Sequence, residues 1–138
     1  MTSSLSFVLP AFNEADNIAQ SVARCVAVGQ SLDTPFEVIV VDDGSHDATR
    51  AVLASLTVRD ARVRSIHHPQ NRGYGAALRT GLLAASCDRV FFTDADLQFD
   101  VAEIALLLRH SDDYGIVAGY RFPRRDPLSR RLLGYGWS

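Results

Sequence analysis

Asp94, Asp96 and Gln98 occupy alternate positions in RVFFTDADLQFD, residues 89–100, directly after the apolar run Val90-Phe91-Phe92. Alternate side chains of an extended chain share one side. The pattern therefore predicts two carboxylates and an amide aimed together from the end of a strand. Like charges a few ångströms apart repel unless a cation lies between them. Oxygen ligands of this kind suit Mg²⁺ or Mn²⁺, which keep positions open for substrate phosphates. Such an ion would neutralise a diphosphate and stabilise it as a leaving group. Asp is also a common turn residue after a strand, which accounts for one acid here more easily than for the set.

Two further stretches end in the same way. VVDDGSHDAT places Asp42 and Asp43 after an apolar run, and LPAFNE places Glu14 after another. An Asp-Gly turn with a Ser or Asp helix cap explains part of the first stretch. A cap needs only one of those residues, however, and a carboxylate at a strand end can accept from a ribose hydroxyl or a base N–H. NRGYGAALRTG fits a dinucleotide-binding fingerprint poorly, since Leu78 stands where a third Gly is required. What it does suggest is a tight turn into a helix. His67 and His68 are adjacent, so on a strand they face opposite ways, which suits a strand-end surface role better than chelation. No P-loop motif is present, and no Ser or Cys nucleophile has a plausible base.

These residues need elements to position them. Strands are expected over 6–12, 36–43, 63–68, 89–95 and 114–120. Helices are expected from a cap at Asn13 or Asp16 to about Gln30, over 44–56 with Ser45 or Asp47 as cap, over 71–86 and over 101–110. Ile18, Val22, Cys25 and Val26 make the buried stripe of the first helix, and Ala51, Val52 and Leu56 face inward from the second. Strand and helix in alternation predict an α/β fold, a mostly parallel sheet with helices on both faces. Ligands of such sheets bind beyond the carboxyl ends of the strands, where Glu14, Asp42, Asp43, Asp94 and Asp96 all fall.

Composition narrows the classes. The chain of 138 residues has a net charge of −2, too mild for a nucleic-acid binder. Cys25 and Cys87 are far apart, which argues against a disulfide framework or a zinc site. No window approaches the roughly 18 apolar residues of a membrane span, and the N-terminus lacks the basic region of a signal peptide. Charge is uneven: residues 1–119 hold nine arginines against fifteen acids, whereas residues 120–138 hold five arginines and one acid. Arg121, Arg124, Arg125, Arg130 and Arg131 are either a solvated face or a clamp for phosphates. Leu132, Leu133 and Trp137 beside them could rest on an anionic membrane surface. The expected organisation is a core over residues 1–120 and a basic segment over 121–138. That segment would lead into an acceptor- or membrane-side region, the chain being the front part of something longer.

VLPAFNEADNI, VVDDGSHDAT, NRGYGAALRTG and FTDADLQ together, in this order and spacing, resemble family 2 glycosyltransferases. The likeness runs along essentially the whole chain and is nearest to the dolichyl- or polyprenyl-phosphate mannose or glucose synthase branch. It implies a Rossmann-like GT-A fold and inverting transfer of a hexose from a nucleotide sugar, of GDP-mannose or UDP-glucose type, with Mg²⁺ or Mn²⁺. By that resemblance Pro10, Phe12 and Glu14 hold the base and ribose, together with Val40, Asp43 and Ala95, while Asp42 reads the base. Asp94 lies near the nucleoside, Asp96 and Gln98 bind the metal, and Arg121 and Arg130 face the phosphates. Asp94 and Asp96 are the catalytic pair. The implied acceptor is a polyprenyl phosphate or other lipid-linked group, with peripheral association at the cytoplasmic face of a membrane. One departure is FDVAE after the glutamine, where that branch often carries a His-Pro-Pro-type segment.

A phosphate acceptor is anionic near neutral pH, whereas a hydroxyl acceptor needs a general base. No carboxylate in the sequence clearly supplies one. Two other readings stay open: transfer to a hydroxyl of a polysaccharide or glycolipid, and a truncated nucleotide-binding module without turnover. A nucleotidyltransferase would want a Gly-rich basic loop after the first strand, and PAFNE lacks it.

Overall fold

The computed structural model describes residues 3–119. Four strands, β1 (Leu5–Ala11), β2 (Phe36–Asp42), β3 (Val63–His67) and β4 (Arg89–Phe92), form one parallel sheet in the order β3-β2-β1-β4. Helices α1 (Ile18–Ser31), α2 (Thr49–Arg59) and α3 (Tyr74–Ala84) make the crossovers. The chain moves outward from β1 to β2 to β3 and then returns to the other side of β1. The order therefore reverses between β1 and β4, and such a reversal opens a ligand crevice at the carboxyl ends of the strands.

Both faces of the sheet are covered, so its strands read as nearly continuous apolar runs. On one face Val8, Ile39 and Val41 pack with Ala77 of α3. On the other, Phe7 is fully buried, and its ring meets the edges of Phe36 and Phe91 at centroid distances of 6.1 and 6.0 Å. Each such aromatic pair adds about 1 kcal/mol beyond area burial. Helix α1 buries Ile18, Val22 and Cys25 as its periodicity predicts, along with Ser21 and Gly29. Val26 is only half-buried.

Several expectations are corrected. The anchor of α2 is Leu53, fully buried, while Ala51 is exposed and Val52 and Leu56 are half-buried. The N-cap position of α1 is Asn17 and that of α2 is Ala48, neither making a side-chain cap bond. Of the polar residues expected as caps, Asn13 and Ser45 join the loops after β1 and β2, while Asp47 accepts the Thr49 N–H at the start of α2 at 2.9 Å as well as the Ala15 N–H. The helix predicted over 101–110 opens as a 3-10 turn, Val101–Glu103, and continues as α4 (Ile104–Leu108). Residues 114–119, expected to begin a fifth strand, are not a strand, and Tyr120 lies outside the described residues. Gly115 and Gly119 interrupt that run and Ile116 is 90 % exposed, so neither ladder nor packing holds it extended. A first compact unit runs to Ala105, and residues 106–119 belong to the next.

Candidate functional site

The carboxyl ends of β1, β2 and β3 are level, with Ala11, Asp42 and His67 in register. β4 stops earlier, Phe92 standing beside Val8. The chain therefore leaves the sheet three residues short of the end of β1, and the turn carrying Asp94 and Asp96 lies beside the last residues of that strand.

The loop after β1 is bound to the loop after β2. Asn13 takes the left-handed conformation at φ 54°, accepts the His46 N–H at 2.8 Å and donates its own N–H to Ser45 Oγ at 3.0 Å. The N–H groups of Glu14 and Ala15 donate to Thr49 Oγ1 and Asp47 Oδ2. The side chains of Asn13, Ser45, Asp47 and Thr49 supply one end of each of these four links. They also hold Phe12, 40 % exposed, with its ring edge-on to that of His46.

Asp42 and Asp43 are both buried, and each is paired with one of the adjacent histidines. His67 Nδ1 lies 2.9 Å from Asp42 Oδ2, and His68 Nδ1 lies 2.7 Å from Asp43 Oδ1. A carboxylate can only accept, so Nδ1 carries the proton in each ring. The opposite facing expected of the two histidines is present, but His68 is buried and not a surface residue. Asp42 also accepts the Ser45 N–H at 3.0 Å. Burial works against its charge, but the bonds from Ser45 and His67 hold its carboxyl below the usual range.

Asp43 receives the N–H groups of Arg72 at 2.9 Å and Gly73 at 2.8 Å. Burial is again outweighed, by His68 and these two amides, and the carboxyl is held low. With both oxygens occupied from within the protein, Asp43 organises the loop before α3. Gly44 completes that join: at φ +70° it approaches Gln70 and Asn71 so closely that a Cβ would lie 2.4 Å from backbone.

The acidic turn differs from the extended arrangement that alternation suggested. The strand ends at Phe92, and residues 95–97 are a bend with Leu97 at φ 62°, a left-handed conformation uncommon for leucine. Alternate residues past Phe92 therefore do not share a side by strand geometry. Asp96 Oδ1 instead accepts the Gln98 N–H at 3.1 Å, and the Gln98 side chain is exposed. Ser21 Oγ of α1 donates to the Ala95 carbonyl at 2.7 Å, pinning the turn from below. Burial and the nearby Asp94 and Asp96 carboxylates push the Tyr74 hydroxyl up to about 12.

Of the other expected contact residues, Pro10, Val40 and Ala95 are buried and support the site from within. Glu14 is half-buried and accepts from Asn17 Nδ2 at 3.0 Å. Arg121 and Arg130 lie outside the described residues. The residues that sequence reasoning missed are Ser21 and His46, together with the loop-joining role of Asn13 and the pairing role of His68.

Among the described residues no cluster of three or more His, Cys, Asp or Glu is arranged to hold a metal ion by itself. Two carboxylates on one turn still fit Mg²⁺ or Mn²⁺, which bind through one or two carboxylates and take the rest of their shell from water and substrate phosphates.

A family-wide sequence profile described as "Glycosyl transferase family 2" matches residues 6–135. The chain belongs to this family. Among curated relatives, an undecaprenyl-phosphate 4-deoxy-4-formamido-L-arabinose transferase of Salmonella paratyphi A is 31 % identical over 129 residues, 92 % of this chain and 39 % of that protein. The transferase of the same name from Pectobacterium atrosepticum is 34 % identical over 131 residues, 93 % of this chain and 40 % of that protein. The chain thus spans about two fifths of the length of these family 2 relatives. Among solved structures, a mannosyltransferase from Pyrobaculum calidifontis in complex with GDP-Man and Mn²⁺ superposes with a TM-score of 0.65 at 24 % identity, covering 76 % of this chain and 31 % of that one. TarS of S. aureus in complex with UDP-GlcNAc superposes at 0.65 with 23 % identity, covering 94 % and 38 %. These likenesses establish the GT-A-like α/β fold of this family 2 chain.

Proposed function

We propose that this chain is the nucleotide-sugar half of an inverting, metal-dependent glycosyltransferase that passes a hexose to a polyprenyl phosphate. The observation that carries the reading is the Asp94–Asp96 turn, held by Ser21 where the strand order reverses between β1 and β4. The match to undecaprenyl-phosphate sugar transferases along nine tenths of the chain supports the acceptor.

In this reading Phe12 offers a half-exposed ring to the base and Asp42 a carboxylate held ionised by Ser45 and His67. Asp94 faces the nucleoside. Asp96, with Gln98, is the residue that would hold Mg²⁺ or Mn²⁺. When bound with the diphosphate, that ion supplies charge neutralisation of the leaving group. The acceptor phosphate arrives as an anion, so the chain needs no strong base to generate the nucleophile. Arg121 and Arg130 are assigned to the phosphates, in the basic segment that follows the core. The donor is of GDP-mannose or UDP-glucose type, and the chain works at the cytoplasmic face of a membrane. No helix among the described residues is long and apolar enough to cross one.

The test is transfer to polyprenyl phosphate from a panel of UDP- and GDP-sugars with Mn²⁺, comparing the parent with Asp96→Asn. Loss of transfer by about a hundredfold or more is expected for a group acting on developing charge. Full transfer by the variant overturns the metal assignment. Nucleotide binding without any transfer by the parent supports a binding module instead.

A further inference from the structure

We propose that His46 reads the edge of the nucleobase, in a corner whose other wall is the Phe12 ring. The inference rests on the glycosyltransferase reading and adds to it a specificity residue from the loop after β2.

The two rings come from different loops, yet they are fixed as a pair. Phe12 immediately precedes Asn13, and His46 immediately follows Ser45. Asn13 donates its N–H to Ser45 Oγ at 3.0 Å and accepts the His46 N–H at 2.8 Å through its side chain. Both ring-bearing residues therefore flank one reciprocal clamp. The Ser45 N–H donates in turn to Asp42 Oδ1 at 3.0 Å, and Ala11 stands in register with Asp42. Phe12, Asp42 and His46 are thereby tied into one bonded set at the carboxyl ends of β1 and β2.

The ring centroids are 6.0 Å apart and the planes stand at 80° to one another. Such a pair is a corner and not a stack. Phe12 is 40 % exposed and His46 is exposed, so both walls are open to a ligand. A flat base lying on a phenyl face gains stacking whatever its identity. Its rim then meets the second wall. A phenyl group there could only pack, whereas a neutral imidazole offers one N–H donor and one ring-nitrogen acceptor. Guanine and uracil differ in the donors and acceptors along their rims. The stacking wall thus supplies affinity, and the imidazole wall supplies the choice of base. The clamp uses only the backbone N–H of His46, so replacing the side chain leaves it intact.

The experiment titrates GDP and UDP, each with Mn²⁺, into the full chain and its His46→Ala and His46→Phe variants by calorimetry. His46→Ala is expected to weaken binding of the preferred nucleotide about tenfold, through lost stacking contact and a lost hydrogen bond. His46→Phe should regain part of that affinity, but the ratio of GDP to UDP affinity should move about fivefold towards unity, the scale of one hydrogen bond. Protection of the amide at position 46 from hydrogen exchange, measured without ligand, should stay within roughly twofold in both variants, since its bond to Asn13 is kept. Unchanged nucleotide affinity in His46→Ala, a retained affinity ratio in His46→Phe, or affinity lost only together with protection at position 46 would each overturn the assignment. A parent that binds GDP and UDP equally overturns it as well. If the parent binds neither, the nucleotide reading fails first and the role of His46 falls with it. An unchanged affinity in the alanine variant of a binding-competent parent removes His46 alone.

Discussion

The Asp43 carboxylate receives the backbone N–H of Gly73 at 2.8 Å, thirty residues further along the chain. This bond ties the end of β2 to the start of α3, and Asp43 holds Arg72 and His68 at the same time. Asp43→Ala would leave two amide donors and a buried imidazole without their partner. The expected cost is about 3 kcal/mol, read by urea unfolding. Hydrogen exchange at the Arg72 and Gly73 amides should rise well beyond the global change. Unaltered exchange there would mean the carboxylate does not hold the loop.

Acid sensitivity should trace to Glu37 at the opposite end of the sheet. Glu37 Oε1 accepts from Ser6 Oγ, the Ser86 N–H and Ser86 Oγ, and Oε2 accepts from Arg64. Burial acts against its charge, but these donors bring it from its ordinary 4.5 down to about 2. A depressed acid stabilises the fold above its unfolded value and loses that contribution as pH falls. The window is therefore from about 4.5 down to about 2. Glu37→Gln should cost about 2 kcal/mol at neutral pH and flatten the stability profile across that window. An equally steep acid limb in the variant would assign it to other carboxylates.

Two glycines of α3 should respond in opposite directions to the same substitution. A Cβ at Gly81 would lie 2.3 Å from Val8 Cγ1 and 3.3 Å from Val41 Cγ2, both on fully buried side chains. Gly81→Ala should destabilise by about 1–3 kcal/mol through overpacking, despite the better helix propensity of alanine. Gly75 has nothing within 4 Å of its Cβ direction, and Gly75→Ala should stabilise by about 0.5 kcal/mol. Thermal midpoints of the pair test the packing of α3 on the sheet, and a shared sign would contradict it.

The alternation of strand and helix, the two-faced covering of the sheet and the gathering of acids at strand ends were legible in the sequence. Each is a local property: apolar periodicity selects the element, and a strand's last residue is next to its first loop residue in any fold. The fifth strand was misread because apolar composition alone does not supply a neighbouring strand. The alternation of Asp94, Asp96 and Gln98 falls past the strand, which ends at Phe92, in a bend where Leu97 takes a left-handed conformation.

Partnership was not legible. Asp42 and Asp43 look alike in VVDDGS, yet one pairs with His67 and the other with His68, each 25 residues away. Ser21 of α1 meets the Ala95 carbonyl from another element entirely. The residue types at the site follow from sequence because they stand where the apolar strand runs end. Which partner each carboxylate takes depends on strand order and loop closure, and only the tertiary structure decides these.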